Sequence, residues 1–231
     1  MARLPRLALA GHAHLAVLRG AQGQPLFIDD ADRRAFIAAL LQALQEQHAA
    51  LHAYALLDGQ VSLLVTPSSD GGLSRLIQAV GRRYVAAFNR RPGHRGGLWD
   101  GRYRAAIVQP GDNTLDAMLF IDLQAQHQAG APAHDASWSS AGHHAGRARD
   151  ALLIDSPAYW QLGNTPFDRQ QAYRRRLADG LAPERAALLA QASHKGWAIG
   201  DAAFLAALAA LTARPLAPRR RGRPAKAPAA A

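Results

Sequence analysis

"LHAYALLDGQVSLLVTPSSDGGLSRLIQAVGRRY", residues 51–84, is the stretch on which the fold turns. Two apolar runs, "HAYALL" and "VSLLVT", meet at Asp58-Gly59, a turn-forming dipeptide, and so read as an antiparallel hairpin. The chain that follows, about 72–91, sets Leu73, Ile77, Val80, Tyr84 and Phe88 in one helical stripe. Arg75, Arg82, Arg83 and Arg90 fall on the opposite side of that helix, where a basic surface is free to meet a partner.

Upstream, residues 12–19 alternate as a strand does, with Leu15 and Val17 on one side and His12, His14 and Leu18 on the other. Asp29 or Asp30 then caps a helix in which Phe36, Ile37, Leu40, Leu41 and Leu44 recur at helical spacing. Downstream of the hairpin and its helix, a Gly/Pro-rich loop leads to a fourth strand near Tyr103 to Gln109. A third helix, capped by Asn113 or Thr114, runs to about His127. The order strand-helix-strand-strand-helix-strand-helix predicts an α+β fold, a ferredoxin-like split βαβ sandwich. Its four-stranded antiparallel sheet would carry the helices on one face and leave the other for function.

This domain is expected over 1–130, followed by an irregular connection over 131–167 and a small helical region over 168–213. A basic, Pro/Ala-rich tail over 214–231 is expected to be disordered. No internal repeat is visible.

The 231 residues are 49% hydrophobic, enough for a sizeable core. The absence of cysteine excludes disulfides, zinc ribbons and thiol nucleophiles and points to a cytosolic protein. His12, His14 and Arg19 interrupt the N-terminal apolar residues before a signal core or membrane span can form. The formal charge of +10 is concentrated: residues 214–231 hold six basic groups and no acid, and Arg75 to Arg104 hold eight arginines against Asp100. With Tyr84, Phe88, Trp99 and Tyr103 interleaved, this is the charge-and-stacking pattern of a nucleic-acid binder.

Taken in order, "ARLPR", "LRG", "HAY-LL", "GLSRLIQAVGRRYVAAFNRR", "LWDGRYRA", "WSS", "AYWQLGNTPFDRQQAYR" and "RRGRP" resemble the REP-associated branch of the single-tyrosine HUH transposases, which cut and rejoin single-stranded DNA. In that family a histidine-hydrophobic-histidine pair on the strand after the hairpin holds one divalent metal, Mg or Mn. A tyrosine on the third helix attacks the phosphodiester, and a further ligand stands four residues beyond it. The resemblance places the histidine positions on Gln60 and Ser62, the tyrosine on Phe120 and the further ligand on Gln124. It therefore implies a family member without its metal-binding pair or nucleophile, for which no metal or other cofactor is expected. Gln124 alone is of a permitted type, and glutamine on an exposed helix face also needs no functional explanation.

DNA, single-stranded or hairpin, is the partner this reading implies, with Arg75, Arg82, Arg83, Arg90, Arg102 and Arg104 on the phosphates. Trp99 and Tyr103 either stack on bases or belong to the core. The tail, with Arg219, Arg220, Arg221 and Arg223, resembles an AT-hook, whose Arg-Gly-Arg lies in a narrow A·T-rich minor groove. A nucleoid-associated location would follow. The rival reading is an active metal-dependent transposase or endonuclease with a substitute site. Its metal would be held by His12, His14 and Gln124, His14 sharing a sheet face with Gln60 and Ser62, and Tyr103 or Tyr84 would be the nucleophile. His134, His143 and His144 read as loop histidines, and Ser137, Ser139 and Ser140 have no base nearby in sequence. An RRM-like RNA binder is disfavoured because the hairpin strands lack exposed aromatic residues.

Overall fold

The computed structural model describes residues 6–91, 93, 96–129 and 138–218. Strand β1 (Ala13–Arg19) leads into helix α1 (Asp30–Gln47), and the hairpin forms as β2 (Ala50–Leu57) and β3 (Gln60–Thr66). Helix α2 (Gly72–Phe88), strand β4 (Arg104–Val108) and helix α3 (Asp112–Ala129) follow. The sheet is antiparallel, in the order β2-β3-β1-β4, so β1 and β3 are the central neighbours of the ferredoxin-like arrangement.

Sequence chemistry explains the start of α1 and the buried face of α2, and the reading of the α3 cap is corrected. Asp29 caps α1 by accepting from the Asp32 backbone N–H at 3.1 Å, while Asp32 reaches back to the Ile28 N–H at 2.8 Å. The α2 stripe buries Leu73, Ile77, Val80, Tyr84 and Phe88 as its spacing requires. Helix α3 starts earlier than Asn113 or Thr114: both lie inside its first turn, and they bond back to Gln109 instead of capping.

Residues paired across antiparallel strands share a face. Ala16, Leu18, Val61, Leu63, Leu51 and Tyr54 form one core with α1 and α2, where Phe27, Phe36 and Tyr84 meet edge-on or tilted at 5.2–5.7 Å. Leu15, Leu64, Ala53, Ala55, Ala106 and Val108 form the other, beneath α3. The expectation of an open second face is thus overturned. That face carries an apolar strip of its own, and α3 covers it together with residues from further along the chain.

Those later elements are α4 (Ala141–His144), α5 (Pro157–Trp160), α6 (Pro166–Asp179), α7 (Pro183–Lys195) and α8 (Ala202–Leu211). Tyr173 and Leu177 of α6 and Leu189 and Ala192 of α7 belong to the second core, and α7 lies against β4. The stretch read as an irregular connection bridges to the sheet edge, Ser139 to Ala55 and Leu153 to Leu51. Helix α6 is closed by a capping box between Thr165 and Asp168 behind Pro166. Among the described residues no helix is long and apolar enough to cross a membrane. Arg219, Arg220, Arg221 and Arg223 lie outside the described residues, as do His134 and Ser137.

Candidate nucleic-acid interface

Gln60 opens β3 and Ser62 follows two residues on, so both project from the face that α3 covers. Gln124 lies one helical turn after Phe120 on α3, which turns both toward the same side of the helix. The polar three close on one another. Ser62 Oγ donates to Gln124 Oε1 at 2.8 Å, and Gln60 Nε2 donates to Ser62 Oγ at 3.0 Å and to Gln124 Oε1 at 3.3 Å. Arg19, opposite Gln60 in the β1–β3 register, donates from Nε to Gln60 Oε1 at 3.1 Å. Ser62 is fully buried, whereas Gln60, Gln124 and Phe120 are half-buried, Phe120 packing on the second core.

Positions far apart in sequence are thus brought to one place, as three uncharged side chains hydrogen-bonded to one another and, through Gln60, to Arg19. An amide pair and a hydroxyl, without imidazole or carboxylate, form a poor donor set for a divalent cation. They do not fit the metal that the family resemblance implies, and the Phe120 ring carries no oxygen to attack a phosphorus centre.

The substitute site of the rival reading is not assembled. The register pairs Val17, not His14, with Ser62; His14 stands opposite Val65 and Ile107, on the other face of the sheet from Gln124. It is fully buried, its Nε2 accepts from the Leu9 N–H at 3.2 Å, and burial lowers its pKa to about 4. His12 donates to the Ala10 carbonyl at 2.9 Å and lies beside Phe204. Tyr84 is buried with its hydroxyl on the Leu26 carbonyl at 2.5 Å, and burial pushes it well above the phenol range. Tyr103 packs into the α1/α2 core, bonded to Ser74 at 2.8 Å and also raised by burial. No group of three or more His, Cys, Asp or Glu side chains among the described residues could hold a metal ion.

The predicted basic face of α2 divides. Arg75 is held by Gln47 at 3.0 Å and Ser69 at 2.7 Å, and Arg83 pairs with Glu46 of α1 at 2.6 Å. These exposed contacts are weak enough to be exchanged for a phosphate, but they point the two side chains toward α1. Arg90 is exposed near the end of α2. Arg82 instead lines a cleft of about 550 Å³ with Arg102, Arg19 and Arg6, where Trp99, Ile77 and Val85 supply an apolar wall. Trp99 is half-buried against the core and also lines this cleft; Tyr103, 9% exposed under the Arg6 guanidinium at 4.2 Å, is a core residue.

Arg104 stands opposite Val17, on the Ser62 face, and its guanidinium donates to the His194 ring, 2.6 Å from Nε2. Together with Lys195 and Arg214 it lines an adjoining cleft. Arg6, Arg19, His194 and Lys195 are basic lining residues that no local sequence signal marks as site residues; Arg214 belongs by sequence to the basic tail and is brought here from it.

The loop histidines and serines are not idle polar residues. Asp122, between Phe120 and Gln124 but on the far side of α3, is fully buried and accepts from Ser140 Oγ at 2.5 Å, His144 Nδ1 at 2.9 Å and the Tyr173 hydroxyl at 2.7 Å. Ser140 also bonds to the Tyr54 backbone. Serine and histidine both donate to the carboxylate and not to each other. The order of a nucleophile-base-acid relay is therefore absent; the group fastens α4 and α6 to α3.

No protein-family model and no curated protein matches the chain. A candidate transposase from Deinococcus radiodurans R1 aligns over 55% of this chain and 98% of its own at 22% identity, with a TM-score of 0.35. The structure of a REP-associated tyrosine transposase bound to a REP hairpin superposes with a TM-score of 0.55 at 10% identity, over 68% of this chain and 93% of that one. With its strand order and the helix on its second face, the chain has the fold of a REP-associated tyrosine transposase.

Proposed function

We propose that this protein is a transposase-family DNA binder that does not cut its target, recognising single-stranded or hairpin DNA through the cleft beside Trp99. The observation that carries the reading is the closed Gln60–Ser62–Gln124 cluster with Phe120 one turn away. It occupies the positions where the family resemblance requires a metal and a nucleophile, and supplies neither. Arg82, Arg102 and Arg104 then serve to position phosphates while Trp99 offers a stacking surface. The hairpin bound by the transposase of similar fold supports a structured single strand as the target. A location on the nucleoid fits that role.

The test is incubation with single-stranded hairpin DNA and Mg²⁺ or Mn²⁺, followed by a denaturing gel. A retained shift on a native gel without any covalent adduct is expected; a metal-dependent protein–DNA adduct would overturn the reading. The tail is a second, separable contributor. Deleting residues 219–231, which leaves Arg214 in its cleft and Leu216 in its core cluster, is expected to weaken duplex binding and flatten its salt dependence by roughly 0.9 log units per lost phosphate contact. Selective loss of A·T-rich duplex would identify a minor-groove contact by Arg219, Arg220, Arg221 and Arg223, and an unchanged slope would show the tail to be a bystander.

A further inference from the structure

We infer that the second cleft, between the N-terminal arm, the loop before β4 and the C-terminal end of α7, is a phosphate-binding site. It encloses about 330 Å³, and its basic lining is Arg6, Arg102, Arg104, Lys195 and Arg214, with His194 beside them and Asp100 as the one carboxylate. Five cations facing one acid repel one another unless an anion joins them. Burial lowers the pKa of both Arg6 and Arg214; at Arg6, Tyr103 opposes the shift and the charge of Arg102 adds to it. The Nε atoms of Arg6 and Arg214 are buried without a hydrogen-bond partner. Holding the two guanidinium groups in the cleft wall therefore carries the cost of an unmade hydrogen bond at each Nε.

The backbone also makes room for this arrangement. Gly196, left-handed at φ 71°, ends α7, and a Cβ there would lie 2.6 Å from Arg214 Nη2. Glycine thus lets the guanidinium lie against the helix end, where its Nη2 is 3.4 Å from the Lys195 carbonyl. Guanidinium forks match the oxygens of a tetrahedral phosphate, two at a time. The volume exceeds that of one phosphate and leaves space for an ester group attached to it. A nucleic acid, through its backbone or a terminal phosphate, and free inorganic phosphate are the two sources of this chemistry.

His194 provides an internal reporter. Lost hydration and then the charges of Arg104, Arg19 and Lys195 hold its pKa below the ordinary value; Asp100 across the cleft is the acid among its lining groups. A dianion in the cleft raises that pKa.

The experiment titrates the full chain with inorganic phosphate, following the His194 ring by NMR, assigned with a His194→Gln variant. The parent is expected to bind phosphate and show a raised His194 pKa. Arg214→Gln and the exposed Lys195→Gln should each weaken binding by about tenfold, and Arg175→Gln, a charge removed from the surface of α6, should not. Two oligonucleotides that differ only in a 5′-phosphate separate the sources. Preference for the phosphorylated one identifies a terminal phosphate, equal binding that both cleft variants weaken identifies the backbone, and phosphate binding with neither oligonucleotide affected identifies the free ion. An unmoved His194, or equal phosphate binding by the parent and both cleft variants, would overturn the proposal. Because Trp99→Ala and Arg82→Gln probe the other cleft, loss of DNA binding in those variants alone bears on the DNA-binding reading and not on this site.

Discussion

Helix α3 carries two polar clusters on opposite sides, and they differ in kind. Toward the open end of the sheet, Gln124 meets Gln60 and Ser62 in a neutral, partly solvated group. On the far side, Asp122 is buried with Ser140, His144 and Tyr173. Judged by residue type alone, the Asp122 group suggests chemistry and the glutamine group suggests surface. Geometry reverses this. The ionisable group gathers all its donors on one carboxylate and is out of reach of any substrate, whereas the neutral group sits beside Arg19, at an end of the sheet bordered by basic clefts. A buried charge with converging donors is a fastening; a half-open polar group is where evolution can add or remove reactivity without dismantling the core.

The largest effect should come from breaking the fastening. Asp122→Ala leaves the His144 and Tyr173 donors unpaired in the interior, Ser140 keeping its bonds to the Tyr54 backbone, and is expected to cost about 3–5 kcal/mol in urea unfolding. Ser62→Ala removes two neutral hydrogen bonds whose partners, Gln60 and Gln124, keep each other and solvent, and should cost only about 1–2 kcal/mol. Equal losses in the two variants would erase the contrast.

Acid should act through a third buried polar residue, on the other face of the sheet. The folded pKa of His14 is about 4, below the ordinary value of roughly 6.5. Between those values the unfolded chain takes up a proton that the native chain refuses. Stability therefore rises with pH across the window and is lost as pH falls from about 7 toward 4, by about 3 kcal/mol. His52, lowered chiefly by burial, acts in the same direction. Unfolding curves at several pH values, for the parent and for His14→Gln, measure the term; identical pH dependence in the two would show that another group controls the acid response.

A smaller change in stability, but a gain of function, is expected from rebuilding the neutral cluster. The triple change Gln60→His, Ser62→His and Phe120→Tyr restores two imidazoles and a phenol facing Gln124. Ser62 is fully buried, so a histidine there must displace its neighbours, at about 1–3 kcal/mol. Calorimetric titration should show a Mn²⁺ site in the variant and not in the parent. Strand cleavage is expected to stay low, because a reactive geometry must be held to about 0.5 Å by a supporting shell. Absence of any new metal site would mean that this face has been rebuilt beyond repair by three side chains.

Much of the fold was legible because its signals are local. Alternation, helical spacing and the turn at Asp58-Gly59 fix which segments are strands and helices, each within a few residues of chain. The family resemblance pointed to Gln60, Ser62 and Gln124, which the fold joins by hydrogen bonds, with Phe120 one helical turn before Gln124. His14 went to the wrong face for a physical reason. Which residue of β1 opposes Ser62 depends on the β1–β3 register, and a slip of one position turns every side chain over.

Periodicity and turn residues thus determined the elements and their order, and composition the basic balance of the chain. Only the tertiary structure decided what covers the second sheet face, which arginines are tied to α1, and that Arg6 and Arg214 share a cleft with Lys195. Those outcomes depend on contacts between segments distant in sequence, chosen by the fit of whole surfaces, and no short window of sequence contains both partners.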